Sequence, residues 1–132
     1  MIYYTSIEQS KKLLELGLNS ESADMWWLYV TAQGKHIAMM YEEPDPHYLA
    51  RMESYGIQDA AIPCWSLGAL LKVMPKSIVV GGRNYFSYIA TLDTISYGDT
   101  EGYMTIKFSY DSLFESCFQM VIWLLENGFI KK

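Results

Sequence analysis

Glu42, Glu43, Asp45 and His47 fall within one six-residue stretch. Carboxylates and an imidazole are the ligands of divalent metals and the partners of general acid–base catalysis. Glu42, Asp45 and His47 taken together would suit a small metal-dependent hydrolase. The spacing argues against it. A metal centre draws its ligands from several elements, whereas Pro44 and Pro46 splay these side chains along one loop. Asp45 followed by Pro46 also has the form of a helix start, with the carboxylate as cap and proline at the first helical position. The plainer reading is a solvated acidic loop, and neither a metal nor a cofactor is expected.

Cys64 is the second candidate. It stands between Pro63 and Trp65, just ahead of an expected helix start. A helix N-terminus lowers a thiol pKa, but a nucleophilic cysteine also needs a base or cation beside it. His36 and His47 are the two histidines of the chain, and no spacing places either against Cys64. A buried, small apolar cysteine is the expected role. Cys117 falls on the apolar arc of a helix and is read as core. Gly81-Gly82-Arg83-Asn84 lacks the spacing of a phosphate loop and no helix follows it, so it reads as a hairpin turn.

Three tryptophans raise a different possibility. Strand alternation sends Trp26 and Trp27 to opposite faces, so a one-sided sheet can bury only one of them. The other is covered by a helix or offered to a partner. Together with the Tyr-rich strands, they would also suit an aromatic-lined ligand-binding module. Trp123 is the third. At 100° per residue it falls on the polar arc of its helix, between Gln119 and Glu126. Either another segment roofs it, or a second subunit does, since tryptophan is enriched at interface hot spots.

Several elements must position these residues. Thr5 and Glu8 form a possible capping box for a helix over 6–16, which Gly17 closes in the left-handed conformation while Leu18 folds back. Strands are expected over 25–31 and 36–41, joined by a turn at Gln33-Gly34. A short helix runs from Pro46 to Tyr55, ending at Gly56. Ser66 caps another over 67–74, stopped by Pro75. Strands follow over 77–80, 85–92, 95–97 and 103–110. In the last of these Ile106 and Phe108 alternate with Thr105 and Lys107, the period of a half-buried strand. Ser112 and Glu115 open the long C-terminal helix as a capping box, and Asn127-Gly128 ends it. Hairpins with segregated helices define an α+β fold: a mostly antiparallel sheet with the C-terminal and N-terminal helices packed on it. No strand order follows from the sequence.

Three segments carry a resemblance. Leu13-Leu14-Glu15-Leu16-Gly17-Leu18, Ile62-Pro63-Cys64-Trp65-Ser66-Leu67-Gly68-Ala69-Leu70-Leu71, and 111–130 with its Trp123-Leu124-Leu125-Glu126-Asn127-Gly128 ending resemble a group of short uncharacterised proteins. That group is carried by prophages and other mobile elements of gut anaerobes. The resemblance implies a mobile-element origin, and it brings no activity, cofactor or catalytic residue with it.

Bulk properties bound the rest. A chain of 132 residues is the size of one domain. Its 51% hydrophobic content and net charge of -5 are far from a disordered composition. Ten Lys and Arg, scattered along the chain, argue against nucleic-acid binding, which draws its affinity from clustered cations. No signal-peptide pattern opens the chain, and no apolar run approaches the roughly 18 residues of a membrane span. Two cysteines without framework or metal spacing suit a reducing cytoplasm. The expectation is a single cytoplasmic domain over 1–132 with no membrane partner. It acts through a protein partner or as a homo-oligomer, with Trp123, Trp26 and Trp27 at the contact, rather than as an enzyme.

Overall fold

Helices begin where a side-chain oxygen can take an orphan backbone amide, and this chain starts each one that way. The computed structural model describes residues 3–39, 44–99 and 105–130. Helix α1 spans Ile7–Glu15 and is capped one residue later than the sequence predicts. Ser6 Oγ accepts from Gln9 N at 3.1 Å, and Gln9 Oε1 accepts from Ser6 N at 2.9 Å. Thr5 is not free to cap. It is fully buried, its hydroxyl lies 2.8 Å from Ser10 Oγ, and it accepts Trp65 N at 3.0 Å. Burying a hydroxyl is tolerated only when it is hydrogen-bonded, and this one is bonded on two sides. At the other end Gly17 adopts φ +94, and the Leu18 amide returns to the Leu13 carbonyl at 3.0 Å, as the sequence predicts.

Strands β1 (Met25–Val30) and β2 (Lys35–Met39) form the first hairpin. Helix α2 (Pro46–Ser54) follows, capped by Asp45, which accepts the His47 amide at 2.9 Å. Strand β3 (Ala61–Cys64) has no counterpart in the sequence reading. It pairs with the other side of β1, giving the order β2-β1-β3. Pro63 is tolerated because β3 is an edge strand, with neighbour bonds on one side only. Helix α3 (Leu67–Val73) is capped by Ser66, whose amide and hydroxyl both donate to Asp24.

The remaining strands make a sequential antiparallel meander: β4 (Ser77–Val80), β5 (Arg83–Thr91), β6 (Thr94–Gly98) and β7 (Thr105–Ser109). Gly81 and Gly82, at φ +59 and +79, are the two-residue turn between β4 and β5, a conformation other residues rarely adopt. The strands thus fall into two antiparallel sheets. The expected outer ends of β2 at Tyr41 and of β7 at Tyr103 lie outside the described residues.

Helix α4 (Leu113–Glu126) closes the fold. Ser112 Oγ caps it by accepting the Glu115 amide at 3.1 Å, but the reciprocal half of the expected capping box is missing. The Glu115 carboxylate instead accepts from Gln9 Nε2 at 3.0 Å and from Gln119 Nε2 at 3.2 Å, which ties the start of α4 to the start of α1. One core unites Leu13 of α1, Trp65, Leu70 of α3, Ile78, Tyr85, Ile95 and Tyr97 of the meander, and the apolar arc of α4. Trp65 is fully buried with its indole N–H satisfied by Ser22 Oγ at 2.9 Å.

Candidate interaction surface

The tryptophans of β1 separate as alternation requires. Trp27 faces the N-terminal segment: its indole N–H donates to the Thr5 carbonyl at 2.9 Å, and Tyr4 meets it edge-on at 5.6 Å. Trp26 faces the other way, in a row with Met39 and Pro63, beside the row of Ile37, Leu28 and Ala61. These six side chains are half-buried and stand apart from the main core.

Trp123 is half-buried, and its own chain provides the roof. After Gly128 turns at φ +77, Phe129 folds back and stacks on the indole at 5.4 Å and 24°. Phe108 of β7 lies 6.5 Å away on another side. A helical wheel cannot register this cover, because it comes from beyond the helix end and from a neighbouring strand.

Five of the exposed large apolar side chains lie elsewhere, along β4, β5 and the tip of the β5–β6 hairpin. Leu92 is 95% exposed at the tip, Ile89 53%, Val79 59%, Phe86 46% and Tyr88 45%. Pairing explains why. Tyr85, Ile95 and Tyr97 point into the core, so Phe86 and Tyr88 must project from the opposite face. On that face β6 contributes only Thr94, Ser96 and Gly98, and Tyr88 leans over Gly98 so closely that a Cβ there would sit 3.0 Å from the ring. Ile89 pairs with Ile95 and so lies on the other, core-side face of the sheet, and a register shift between Ile89 and Thr91 follows ahead of the tip. The sequence reading did not single out these residues. The available signal was Tyr85-Phe86-Ser87-Tyr88-Ile89, a strand with bulky side chains on both faces.

The proposed chemical residues are not brought together. Asp45 is engaged as a helix cap, His47 is exposed, and Glu42 and Glu43 lie outside the described residues. His36 Nε2 lies 2.8 Å from the Asp59 carbonyl, and its ring meets Tyr29 edge-on. Among the described residues no three His, Cys, Asp or Glu side chains group around a possible metal position. Cys64 is fully buried; burial pushes its pKa up to about 11, so it is a protonated thiol near neutrality. It donates to the Thr5 carbonyl at 3.3 Å. Cys117 is likewise buried and raised to about 11. Among the described residues no helix is long and apolar enough to cross a membrane.

The arrangement is an α+β fold of two antiparallel sheets with an exposed aromatic and aliphatic strip. Comparison with protein-family models, with curated proteins and with solved structures finds no match to this chain.

Proposed function

We propose that the chain is a small non-enzymatic accessory protein of a prophage or other mobile element, working through protein–protein contact and first of all with itself. The observation that carries this reading is the group of exposed side chains Val79, Phe86 and Tyr88 on one face of β4 and β5, with Leu92 at the next hairpin tip. Scattered exposed apolar residues are ordinary, but a group on one face of two paired strands is what contact surfaces look like. Leu92, nearly bare at a hairpin tip, has the form of a side chain meant to enter a partner. The resemblance of three segments to mobile-element proteins supports the setting. Two buried free thiols suit a reducing cytoplasm.

Sedimentation velocity from about 10 to about 500 µM, a range that spans weak self-association, tests the proposal. The wild type is expected to shift to a dimer or larger species with concentration. A Phe86→Lys, Leu92→Lys double variant, with unchanged circular dichroism, is expected to remain monomeric. A wild type that stays monomeric throughout the range refutes self-association.

A further inference from the structure

A separate feature lies between the end of β1 and helix α2. Tyr48, Arg51, Met52 and Tyr55 follow one another at i, i+3, i+4 and i+7, one stripe of the helix. Met52 is buried, as the inward stripe of a packed helix should be. Arg51 and Tyr55 are exposed and, with Tyr48, Tyr29 and Thr31, line an open hollow of about 420 Å3. That volume falls in the lower part of the range of small-molecule sites, roughly 300–1,000 Å3. A larger hollow of about 830 Å3 runs along α3, but its floor is Ala23, Leu71 and Val73 and its Asp24 is already held by Ser66. Size favours the α3 hollow; the chemistry of the lining favours the one beside α2.

Two of the tyrosines are fixed in place. The Tyr48 hydroxyl donates to the Tyr29 carbonyl at 2.6 Å and lies 3.3 Å from the Ala60 carbonyl. Tyr29 is held edge-on by His36, which is in turn anchored at Asp59. Rings held in this way lose little freedom when a ligand arrives. Arg51 is the one charged residue lining the hollow, and no carboxylate pairs with it among the described residues. Its charge reaches the Tyr48 phenol: burial, the larger influence, raises that pKa, and Arg51 opposes the rise.

We propose that this hollow binds a small planar aromatic molecule carrying one anionic group, its ring among Tyr29, Tyr48 and Tyr55 and its anion on Arg51. Phenol rings offer faces and edges to a flat ring. A guanidinium offers a planar fork that matches carboxylate or phosphate oxygens in pairs. Neither half is sufficient alone, since the site is open to solvent and a bare anion or a neutral ring would gain only part of the contact.

The test is an NMR titration of the full chain with AMP and with indole-3-acetate, which separates a phosphate from a carboxylate ligand. Adenosine and inorganic phosphate serve as the two halves. At least one aromatic anion is expected to bind with Kd below about 1 mM and at least about tenfold more tightly than adenosine or phosphate. The shifted amides should cluster at 29–31 and 48–55. Arg51→Gln and Tyr55→Ala, both at exposed positions, should each weaken binding by about tenfold with unchanged circular dichroism. The proposal is overturned if neither aromatic anion binds below about 10 mM, if Arg51→Gln leaves affinity unchanged, or if the shifted amides lie elsewhere.

Discussion

Truncating Trp123 to alanine separates two accounts of the same side chain. A fully buried large aromatic costs about 3–5 kcal/mol when cut to alanine. Trp123 is half-buried, stacked by Phe129 at 5.4 Å and flanked by Phe108 at 6.5 Å. Scaling for partial burial gives about 2 kcal/mol, which in a chain of this size is a fall in Tm of roughly 6–10 °C. An aromatic pair adds about 0.5–1.5 kcal/mol beyond its buried area. A double-mutant cycle with Phe129→Ala should therefore return a coupling of about 1 kcal/mol. Urea unfolding followed by far-UV circular dichroism measures both quantities, and sedimentation at matched concentrations measures assembly. The reasoning predicts lost stability with unchanged assembly. An unchanged urea midpoint together with weakened assembly would refute it, because the ring would then be seated against a second subunit rather than under its own C-terminal turn.

Two further perturbations test the polar interior. Ser116 is fully buried, donates to the Asp93 carbonyl at 2.5 Å and accepts the Tyr110 amide at 2.8 Å. Ser116→Ala strands both groups and should cost about 2 kcal/mol in urea unfolding; a cost within error of zero would show that water replaces the hydroxyl. Burial raises Cys64 and Cys117 from 9.0 to about 11 and Tyr97 from 10.0 to about 12. The folded chain therefore holds these protons more tightly than the unfolded chain. Their contribution to stability is complete below pH 9.0 and is lost as pH rises through about 11 and 12. The urea midpoint should fall steadily above pH 9.0, and a midpoint that stays level to about 11 would contradict the assigned burial.

What was legible in the sequence was local. Gly17, Gly56 and Gly128 end three helices in the left-handed conformation, and each is readable from the residues around it. Asp45, Ser66 and Ser112 cap as expected because a cap needs only its own next turn. Errors arose where a distant segment decides. Thr5 lost its capping role to a bond with Trp65, 60 positions away. Strand β3 exists because β1 offers it a partner, not because Ala61–Cys64 favours extension. Glu115 turned from its own helix cap to Gln9 for the same reason. The α2 hollow was half visible: the spacing of Tyr48, Arg51 and Tyr55 shows one stripe, but only the tertiary fold sets Tyr29 across from it. The exposed strip on β5 follows from strand order, which no local pattern contains.

The way residues 3–5 are tied in has a consequence for synthesis on the ribosome. The Thr5 amide donates to the Trp65 carbonyl at 2.9 Å, the Leu67 amide donates to the Tyr3 carbonyl at 3.0 Å, and Tyr4 bridges to Ser66. Residues 3–5 are therefore closed by residues made much later. The β1–β2 hairpin can form as soon as it emerges, but β1 waits for β3, and the segment of residues 3–5 waits for the stretch just after it. The meander has no such delay, since each of its strands pairs with the one before. Contacts distant in sequence form slowly and leave surface uncovered meanwhile. During that interval β1 lacks β3, and residues 3–5 lack Trp65 and Leu67, so the surface around Trp27 stays uncovered until residue 67 has cleared the exit tunnel.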